Sequence, residues 1–363
     1  MLTKLNTLES IFLICIITVT RTILSFPQNI IENQKSASIL NLIFISIIAF
    51  FTVHLICKLF KKFPGLDIID ISEIVGGKIF KNIIGTIFVG YFIITSSILL
   101  RNFCETLKIV YYPMTNIVFI LILFLLAISF VNKLSISTIL KTNSIIVPLA
   151  LLSIIFLFFA NTKNFMLNKI FPILGNGFAN TFILGISNLS AFGGISFIYF
   201  LPPLLEKPEN LKKISIISIC IITLCLILSI STLLFMFSFF ETNNKISPLY
   251  NTARYIEFGK FFQRLESIFL FIWIILFACY LSITSYFSIS ILKKILHLES
   301  QIPLSNIVAL LMFSIATIPK NYAISSNFEN TYYPLLVLTI VFLLGIGILI
   351  LGNMKRKKEI NHE

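Results

Sequence analysis

Charged residues are scarce in this chain of 363 residues, of which only 12% are Asp, Glu, Lys or Arg. A soluble protein of this size would need far more polar surface. Histidine is also scarce, with three residues scattered along the chain, and none of the six cysteines forms a Cys-x-x-Cys pair. The composition therefore excludes a soluble domain, and it argues against a disulfide framework, a metal site or another cofactor.

The motifs of common enzymes are absent as well. No stretch places a nucleophile beside a base, forms a glycine loop that would hold phosphate, or pairs two carboxylates for acid–base chemistry. We therefore expect that the protein is not an enzyme.

Apolar residues fill the sequence instead, since 57% of it is hydrophobic and its mean hydropathy is +0.99. A bilayer span needs about 20 mainly apolar residues. Ten stretches qualify when short interruptions are allowed, near residues 8–31, 36–60, 83–108, 114–131, 140–159, 178–201, 214–240, 265–292, 304–318 and 333–352. The sequence predicts an all-α integral membrane protein with ten transmembrane helices, forming a single polytopic domain over residues 1–363.

The formal net charge of +13 comes from basic residues in the connections between these stretches. If the N-terminus is inside, the cytoplasmic connections and the C-terminal segment hold most of the Lys and Arg, as the positive-inside rule requires. We therefore expect both termini in the cytoplasm. Two connections are long enough to carry structure: residues 67–82 predict an interfacial helix, and residues 247–264 predict either a helical lid or an interfacial anchor.

The sixth stretch contains the adjacent glycines Gly193 and Gly194 and small hydroxyls in an apolar run. These residues weaken a helix where no water can satisfy freed backbone groups, and such a break survives only against protein or a cavity. The first stretch has a similar run, residues 18–22 followed by Pro27. Broken segments at matching positions of two halves predict an inverted-repeat transporter fold. Close packing of a neighbouring helix against the two glycines is an alternative explanation.

Two arginines, Arg21 and Arg101, lie within predicted spans, where each costs roughly 2.5 to 3.5 kcal/mol and needs a partner or a wet cavity. Glu105, four residues after Arg101, is the only intramembrane carboxylate that we expect to be available for a proton or ion site. It either neutralises Arg101 or carries protons in a coupled cycle. Alternatively, an arginine meets the carboxylate of a ligand, because two arginines and one carboxylate would leave one positive charge in excess.

Several segments resemble the endospore germination permease family over essentially the whole chain. They are Phe26-Pro27-Gln28-Asn29, residues 171–177, Leu201-Pro202-Pro203, and Gly259-Lys260-Phe261-Phe262-Gln263-Arg264-Leu265-Glu266 leading into Trp273. The proteins of that family are B subunits of nutrient germinant receptors and are related to the amino acid-polyamine-organocation transporters. The resemblance implies a 5+5 inverted-repeat, LeuT-like fold with broken helices 1 and 6. It also implies that the protein senses a small nutrient, commonly an amino acid, in the spore inner membrane, with a membrane-embedded A subunit and a C-subunit lipoprotein as partners.

In related proteins the ligand lies between spans one, three, six and eight. The resemblance therefore selects Thr20, Thr22, Ser97, Arg101, Ser190, Ala191, Phe192, Gly193, Gly194, Ser282 and Tyr286. Arg21 departs from the small residues that relatives have at the first break, and we expect it to contact a ligand carboxylate. From the residues alone, the hydroxyls of the eighth span either line a polar pocket or join helices.

Three functions are compatible with these observations. The chain is a receptor subunit that binds a germinant and signals to partners, a proton- or sodium-coupled amino acid transporter, or a scaffold subunit with a vestigial site. A receptor and a transporter share the fold, so the fold does not separate them.

Overall fold

The computed structural model describes residues 4–24, 26–133, 136–237, 247–256, 265–298 and 302–362. Within these ranges the regular elements are helices, apart from one isolated bridge between Leu5 and Leu205. The α-helices are α1 Thr7–Ile23, α2 Phe26–Gln34, α3 Ser38–Phe60, α4 Ile68–Val110, α5 Ile117–Val131, α6 Ile136–Ala160, α7 Leu211–Met236, α8 Pro248–Arg254, α9 Leu265–Leu296, α10 Ile302–Thr317, α11 Tyr322–Leu336 and α12 Gly345–His362.

The sixth span is not an α-helix. A π-helical turn, Ala179–Ile183, leads into a 3₁₀ segment, Leu184–Tyr199, and we call the two together the irregular segment. A second π-helical stretch, Val337–Leu344, joins α11 to α12. Long 3₁₀ runs are uncommon, and 3₁₀ and π stretches inside helices often mark functional sites.

Seven helices in the described ranges are long and apolar enough to cross a membrane, and α5 and α10 are shorter apolar helices. The helix α1 is buried over most of its 17 residues and packs against α6, α7 and the irregular segment. Within the described residues, each of the ten predicted apolar stretches overlaps helical structure. The all-helical fold is as predicted, whereas the count of ten membrane-spanning helices stays a prediction.

Residues 67–82 were expected to form a separate interfacial helix, but they continue directly into the third span. The Asp67 carboxylate accepts hydrogen bonds from the N–H groups of Ile69 and Asp70, so α4 begins at Ile68. The helix then leaves helical geometry at Gly77, whose φ of 73° favours glycine. The amphipathic segment and the third span are therefore parts of one kinked helix of 43 residues.

Both chain termini lie at the same end of the bundle, which we call the terminal end. The N–H of Leu5 donates to the carbonyl of Leu204 at 2.8 Å, close to a cavity that Phe63 and Pro202 line. Arg356, near the C-terminus, lies over the ring of Phe63. The ion pairs of Lys294 with Asp67 and Asp70, each at 2.7 Å, join α9 to the start of α4.

At the opposite end, α8 occupies part of the connection in which a lid was expected. Its residues Leu249, Tyr250 and Ala253 are buried, and the hydroxyl of Tyr111, the residue after α4, donates to that of Tyr250 at 2.7 Å. Ser247 donates to the carbonyl of Ile23 at 3.3 Å. The helix α8 therefore covers the end of α1. Residues 257–264, which include six of the eight residues of the family-like segment 259–266, lie outside the described residues.

One amide on α3 satisfies the backbone where the π turn becomes the 3₁₀ segment. The fully buried Asn41 donates to the carbonyls of Thr181 and Gly185, at 2.7 and 3.2 Å, and accepts from Asn188 at 2.8 Å. Irregular backbone away from water needs such partners. Gly185 lets the Asn41 side chain approach the backbone of the irregular segment, because a Cβ at this position would lie 2.2 Å from the Asn41 amide nitrogen.

We expect Asn41→Leu to destabilise the protein by about 1–3 kcal/mol, because it leaves buried carbonyls and the Asn188 amide without their partner. The check is the midpoint of thermal unfolding in detergent. Ser46→Ala on the same helix is the matched control, since the Ser46 hydroxyl donates only within α3, to Leu42. Equal midpoints for the two variants would contradict a role for Asn41 in holding the irregular segment.

Candidate functional site

The hydroxyl-rich run of the first span is helical, contrary to expectation. The Thr22 hydroxyl donates to the carbonyl of Thr18, and the Thr18 hydroxyl donates to that of Ala191, both at 2.7 Å. The helix ends only at Ile23, and Leu24 has non-helical angles (φ −84°, ψ −114°). The first span is therefore broken between α1 and α2, one turn later than predicted, and Ser25 lies outside the described residues.

The irregular segment departs from helical geometry where the sequence predicted it. Phe192 has φ −90° and ψ 27°, and Ser190, Ala191, Gly193 and Gly194 beside it are buried. A Cβ on Gly194 would lie 2.1 Å from the backbone oxygen of Ile14, and one on Gly193 would lie 2.2 Å from the Tyr333 hydroxyl. The explanation by close packing thus holds at Gly194, while Gly193 faces a polar group.

Arg21 is almost fully buried and is neutralised by a residue that sequence analysis missed. Its Nη2 lies 2.6 Å from Oε1 of Glu329 on α11, and its guanidinium carbon lies 3.3 Å from the centre of the Tyr333 ring. The amide of Asn102 on α4 donates to the other oxygen of Glu329. A charge-assisted ion pair with a cation–π contact thus joins α1, α4 and α11.

The expectation that Glu105 is the only available intramembrane carboxylate is therefore wrong. The expectation failed because the tenth predicted stretch starts at Tyr333, after Glu329. The helix itself begins at Tyr322, with the Asn321 side chain as its cap. The residues Ser325, Glu329 and Tyr333 follow at intervals of four and are the buried ones of α11. That spacing is the sequence signal that would have identified Glu329.

Arg101 pairs with Glu105, as the spacing of four residues predicted. Its Nε and Nη2 donate to Oε1 of Glu105 at 3.0 and 2.7 Å, and its Nη1 donates to the carbonyl of Ala316 at 3.3 Å. Each intramembrane arginine therefore has a carboxylate of its own. The expected excess of one positive charge is absent among the described residues, so it no longer supports an anionic ligand.

The other candidates on spans three and eight are buried but lie in different surroundings. The hydroxyls of Ser97 and Ser282 donate to the carbonyls of Ile93 and Ala278 in their own helices. Tyr286 lines a cavity of about 470 Å³ at the terminal end, next to Lys294. The described contacts therefore do not join these three residues to the Arg21 pair.

Several buried polar atoms on the elements that meet here have no hydrogen-bond partner among the described residues. They include Oγ1 of Thr20 and Nε of Arg21 on α1, Oδ1 of Asn102 on α4, and Oγ of Ser190 in the irregular segment. A native protein pairs nearly all of its buried polar groups with protein or ordered water, so each of these atoms is a candidate contact for a water or a ligand. We call Thr20, Arg21, Asn102, Ser190 and Glu329 the central cluster.

A family model for spore permeases, described as spore germination protein, matches residues 4–324. The chain belongs to this family. Two relatives are from Bacillus subtilis (strain 168). Spore germination protein A2 is 24% identical over 303 residues, 82% of each chain, and spore germination protein B2 is 22% identical over 221 residues, 61% of this chain and 60% of the relative.

A solved structure of a Na⁺-coupled sialic acid symporter, in a substrate-bound outward-open state, has a similar fold. The TM-score is 0.58 at 13% identity, covering 95% of this chain and 87% of the symporter. At this identity the likeness concerns the fold alone, which is that of LeuT-like transporters. This spore germination protein is therefore a membrane protein with a transporter fold, and it is not an enzyme.

We expect Gly193→Ala to destabilise the protein by about 1–3 kcal/mol, because the new methyl group overlaps the Tyr333 hydroxyl. Adding Tyr333→Phe removes that oxygen and leaves the ring carbon, 3.4 Å away, as the nearest atom of residue 333. The double variant should regain most of the lost stability in a thermal unfolding measurement.

Gly194→Ala is the matched control, because its methyl group meets the backbone of Ile14, which Tyr333→Phe does not move. Rescue of both alanine variants by Tyr333→Phe, or of neither, would contradict the contact between Gly193 and the tyrosine hydroxyl.

Proposed function

We propose that this protein is the B subunit of a nutrient germinant receptor in the inner membrane of a dormant spore, with both termini in the cytoplasm. It binds a small nutrient, with an amino acid as the leading candidate. It passes a conformational change to a membrane-embedded A subunit and a C-subunit lipoprotein. Membership of the spore germination protein family supports this proposal.

The observation that carries the proposal is the buried Arg21–Glu329 pair, which Tyr333 connects to the irregular segment at Gly193. Well-packed apolar residues often stabilise a fold as well as a buried ion pair does, so stability alone does not explain the pair. Half-helix ends and freed backbone groups are how transporter folds bind small ligands. A ligand-binding role accounts for both the buried ion pair and the irregular backbone beside it.

Within this proposal the central cluster contacts the ligand directly, together with Gly193 and the backbone around Ala191 and Phe192. Four other predicted residues contact protein groups and have a structural role in the neighbouring helices. The hydroxyls of Thr22, Ser97 and Ser282 donate to carbonyls of their own helices, and Gly194 packs against the backbone of Ile14. Arg101 and Glu105 form a second ion pair next to Asn102 in sequence, and Tyr286 lines the cavity at the terminal end.

Coupled transport is the second candidate function, because a Na⁺-coupled symporter has a similar fold and two carboxylates, those of Glu105 and Glu329, lie buried within the bundle. Reconstitution in proteoliposomes separates the two candidates. Saturable binding of a labelled amino acid without uptake supports the receptor, whereas uptake that follows a proton or sodium gradient supports the transporter.

We expect the double variant Arg21→Gln/Glu329→Gln to reach normal protein levels in spores and to lose nutrient response by one to two orders of magnitude in effective concentration. The two amides keep a hydrogen bond and leave no unpaired charge, while the charge-assisted contacts of roughly 1.5–3 kcal/mol are lost. The measurement is the germination dose response at matched protein level.

Lys81→Gln/Glu73→Gln is the matched control. It removes a charge pair of 2.7 Å at the terminal end, where Glu73 is partly exposed. An unchanged dose response in the Arg21/Glu329 variant, or an equal loss in the control, would show that the central pair is structural.

A further inference from the structure

A cavity of about 420 Å³ lies at the terminal end, where α3 ends and α7 begins, and we call it the α3–α7 cavity. Its walls include the buried side chains of Phe60, Phe63 and Leu211, together with Pro202, which follows the irregular segment. Both α3 and α7 belong to segments that are long and apolar enough to cross a membrane. Because the cavity lies where two such helices end, we expect it at the depth of the lipid headgroups.

Three cations surround this cavity, and they come from three parts of the chain. Lys61 directly follows α3, Lys212 lies in the first turn of α7, and both line the cavity. The guanidinium carbon of Arg356 on α12 lies 5.5 Å from the centre of the Phe63 ring, which forms part of the wall. Glu209 also lines the cavity, but none of the three cations forms an ion pair with it or with another described residue.

The other large cavity of the terminal end, near Tyr286, has its charges compensated. Lys81 and Lys294 line it, and both are held at 2.7 Å by carboxylates at the start of α4. Around the α3–α7 cavity the cations have no such partners. Like charges gathered around one cavity repel each other, and an anion that enters it relieves this repulsion.

The arrangement of the cations is suited to a phosphate group. Lysine ammonium groups bind phosphate as point charges, and the oxygens of a tetrahedral phosphate can be reached from several sides at once. No side chain caps the first turn of α7, a helix of 26 residues, and the amino end of a helix also attracts anions. The apolar wall beside the cations favours a phosphate ester over inorganic phosphate, because the ester has an apolar part to bury.

We propose that the α3–α7 cavity binds the phosphate group of an anionic ester, with Lys61, Lys212 and Arg356 as the residues that contact it. An anionic phospholipid and a soluble phosphate ester share this chemistry. The expected headgroup depth and the apolar wall favour the phospholipid. A phosphate bound here connects α3, α7 and α12 at the membrane surface. This site is separate from the central cluster, and it does not depend on the function proposed for that cluster.

Basic residues also gather at the cytoplasmic ends of membrane helices for reasons of topology alone. A diffuse positive surface attracts anionic lipid according to the number of its charges, whichever lysines supply them. Lys62 and Lys213 are exposed, follow the two cavity lysines directly in sequence, and do not line the cavity. Removing these two charges therefore matches the removal of the cavity lysines in number and in location along the same helices.

The first experiment uses the full chain in nanodiscs that contain equal parts of phosphatidylcholine and phosphatidylglycerol. Native mass spectrometry measures how much phosphatidylglycerol stays bound when the protein is released. The unaltered chain should retain it, and Lys61→Gln/Lys212→Gln should bind it about tenfold or more weakly, because two charged contacts are lost. Lys62→Gln/Lys213→Gln should retain it like the unaltered chain. All four lysines are exposed, so both double variants should fold, which the midpoint of thermal unfolding checks.

The second experiment separates the two sources of phosphate. Calorimetry measures the binding of glycerol 3-phosphate to the same three proteins in nanodiscs of phosphatidylcholine alone. Retention of phosphatidylglycerol that depends on Lys61 and Lys212 supports a lipid site. Binding of glycerol 3-phosphate with this dependence, without retention of the lipid, supports the same phosphate site with a soluble ligand.

Three results would overturn the inference. One is an equal loss of binding in the two double variants, which would indicate a diffuse positive surface. Another is equal retention of oleate, which has an apolar chain and a carboxylate but no phosphate. The third is that the unaltered chain binds neither phosphatidylglycerol nor glycerol 3-phosphate.

Discussion

The ion pair between Arg21 and Glu329 is the interaction on which the centre of the bundle depends. A guanidinium with 3% exposure needs a counter-charge, and that counter-charge comes from a helix near the other end of the chain. Asn102 then orients the carboxylate, so α1, α4 and α11 meet at one point. Removing one partner of such a pair leaves a buried charge, at a cost of about 3–5 kcal/mol. The positions of the three helices are therefore coupled electrostatically.

The irregular backbone around this point is stabilised by side chains of neighbouring elements. Asn41 bonds the carbonyls at the start of the irregular segment, and Thr18 bonds the carbonyl of Ala191 within it. In the other direction, the Tyr199 hydroxyl donates at 2.6 Å to the carbonyl of Val341 in the π stretch after α11. Backbone groups that lie away from water must find hydrogen-bond partners within the protein. These polar side chains therefore replace the backbone hydrogen bonds that a regular helix would have made.

Much of the fold could be predicted from the sequence, because lipid imposes helices and a minimum length for each apolar run. The break near Gly193 was also predictable, because adjacent glycines in an apolar span weaken the helix and allow a neighbouring helix to pack closely. The break of the first span was misplaced because threonine hydroxyls can bond backbone carbonyls, so Thr18 and Thr22 remain helical. Glu329 was missed because the tenth stretch was begun at Tyr333, after the turn of helix that carries Glu329. Its pairing with Arg21 depends on tertiary structure that no local pattern encodes.

The π stretch Val337–Leu344 has a geometric consequence. It connects α11, which carries Glu329, to α12, whose Lys355 donates to the carbonyl of Ile74 at the terminal end. Pro334, just before the stretch, already lacks a backbone N–H. A π-helix accommodates one more residue per hydrogen-bonded turn than an α-helix, and each residue of an α-helix corresponds to about 100° of rotation. The π stretch therefore offsets the faces of the two helices that it joins, so the face of α11 that carries Glu329 and the face of α12 that carries Lys355 do not follow one regular helical repeat.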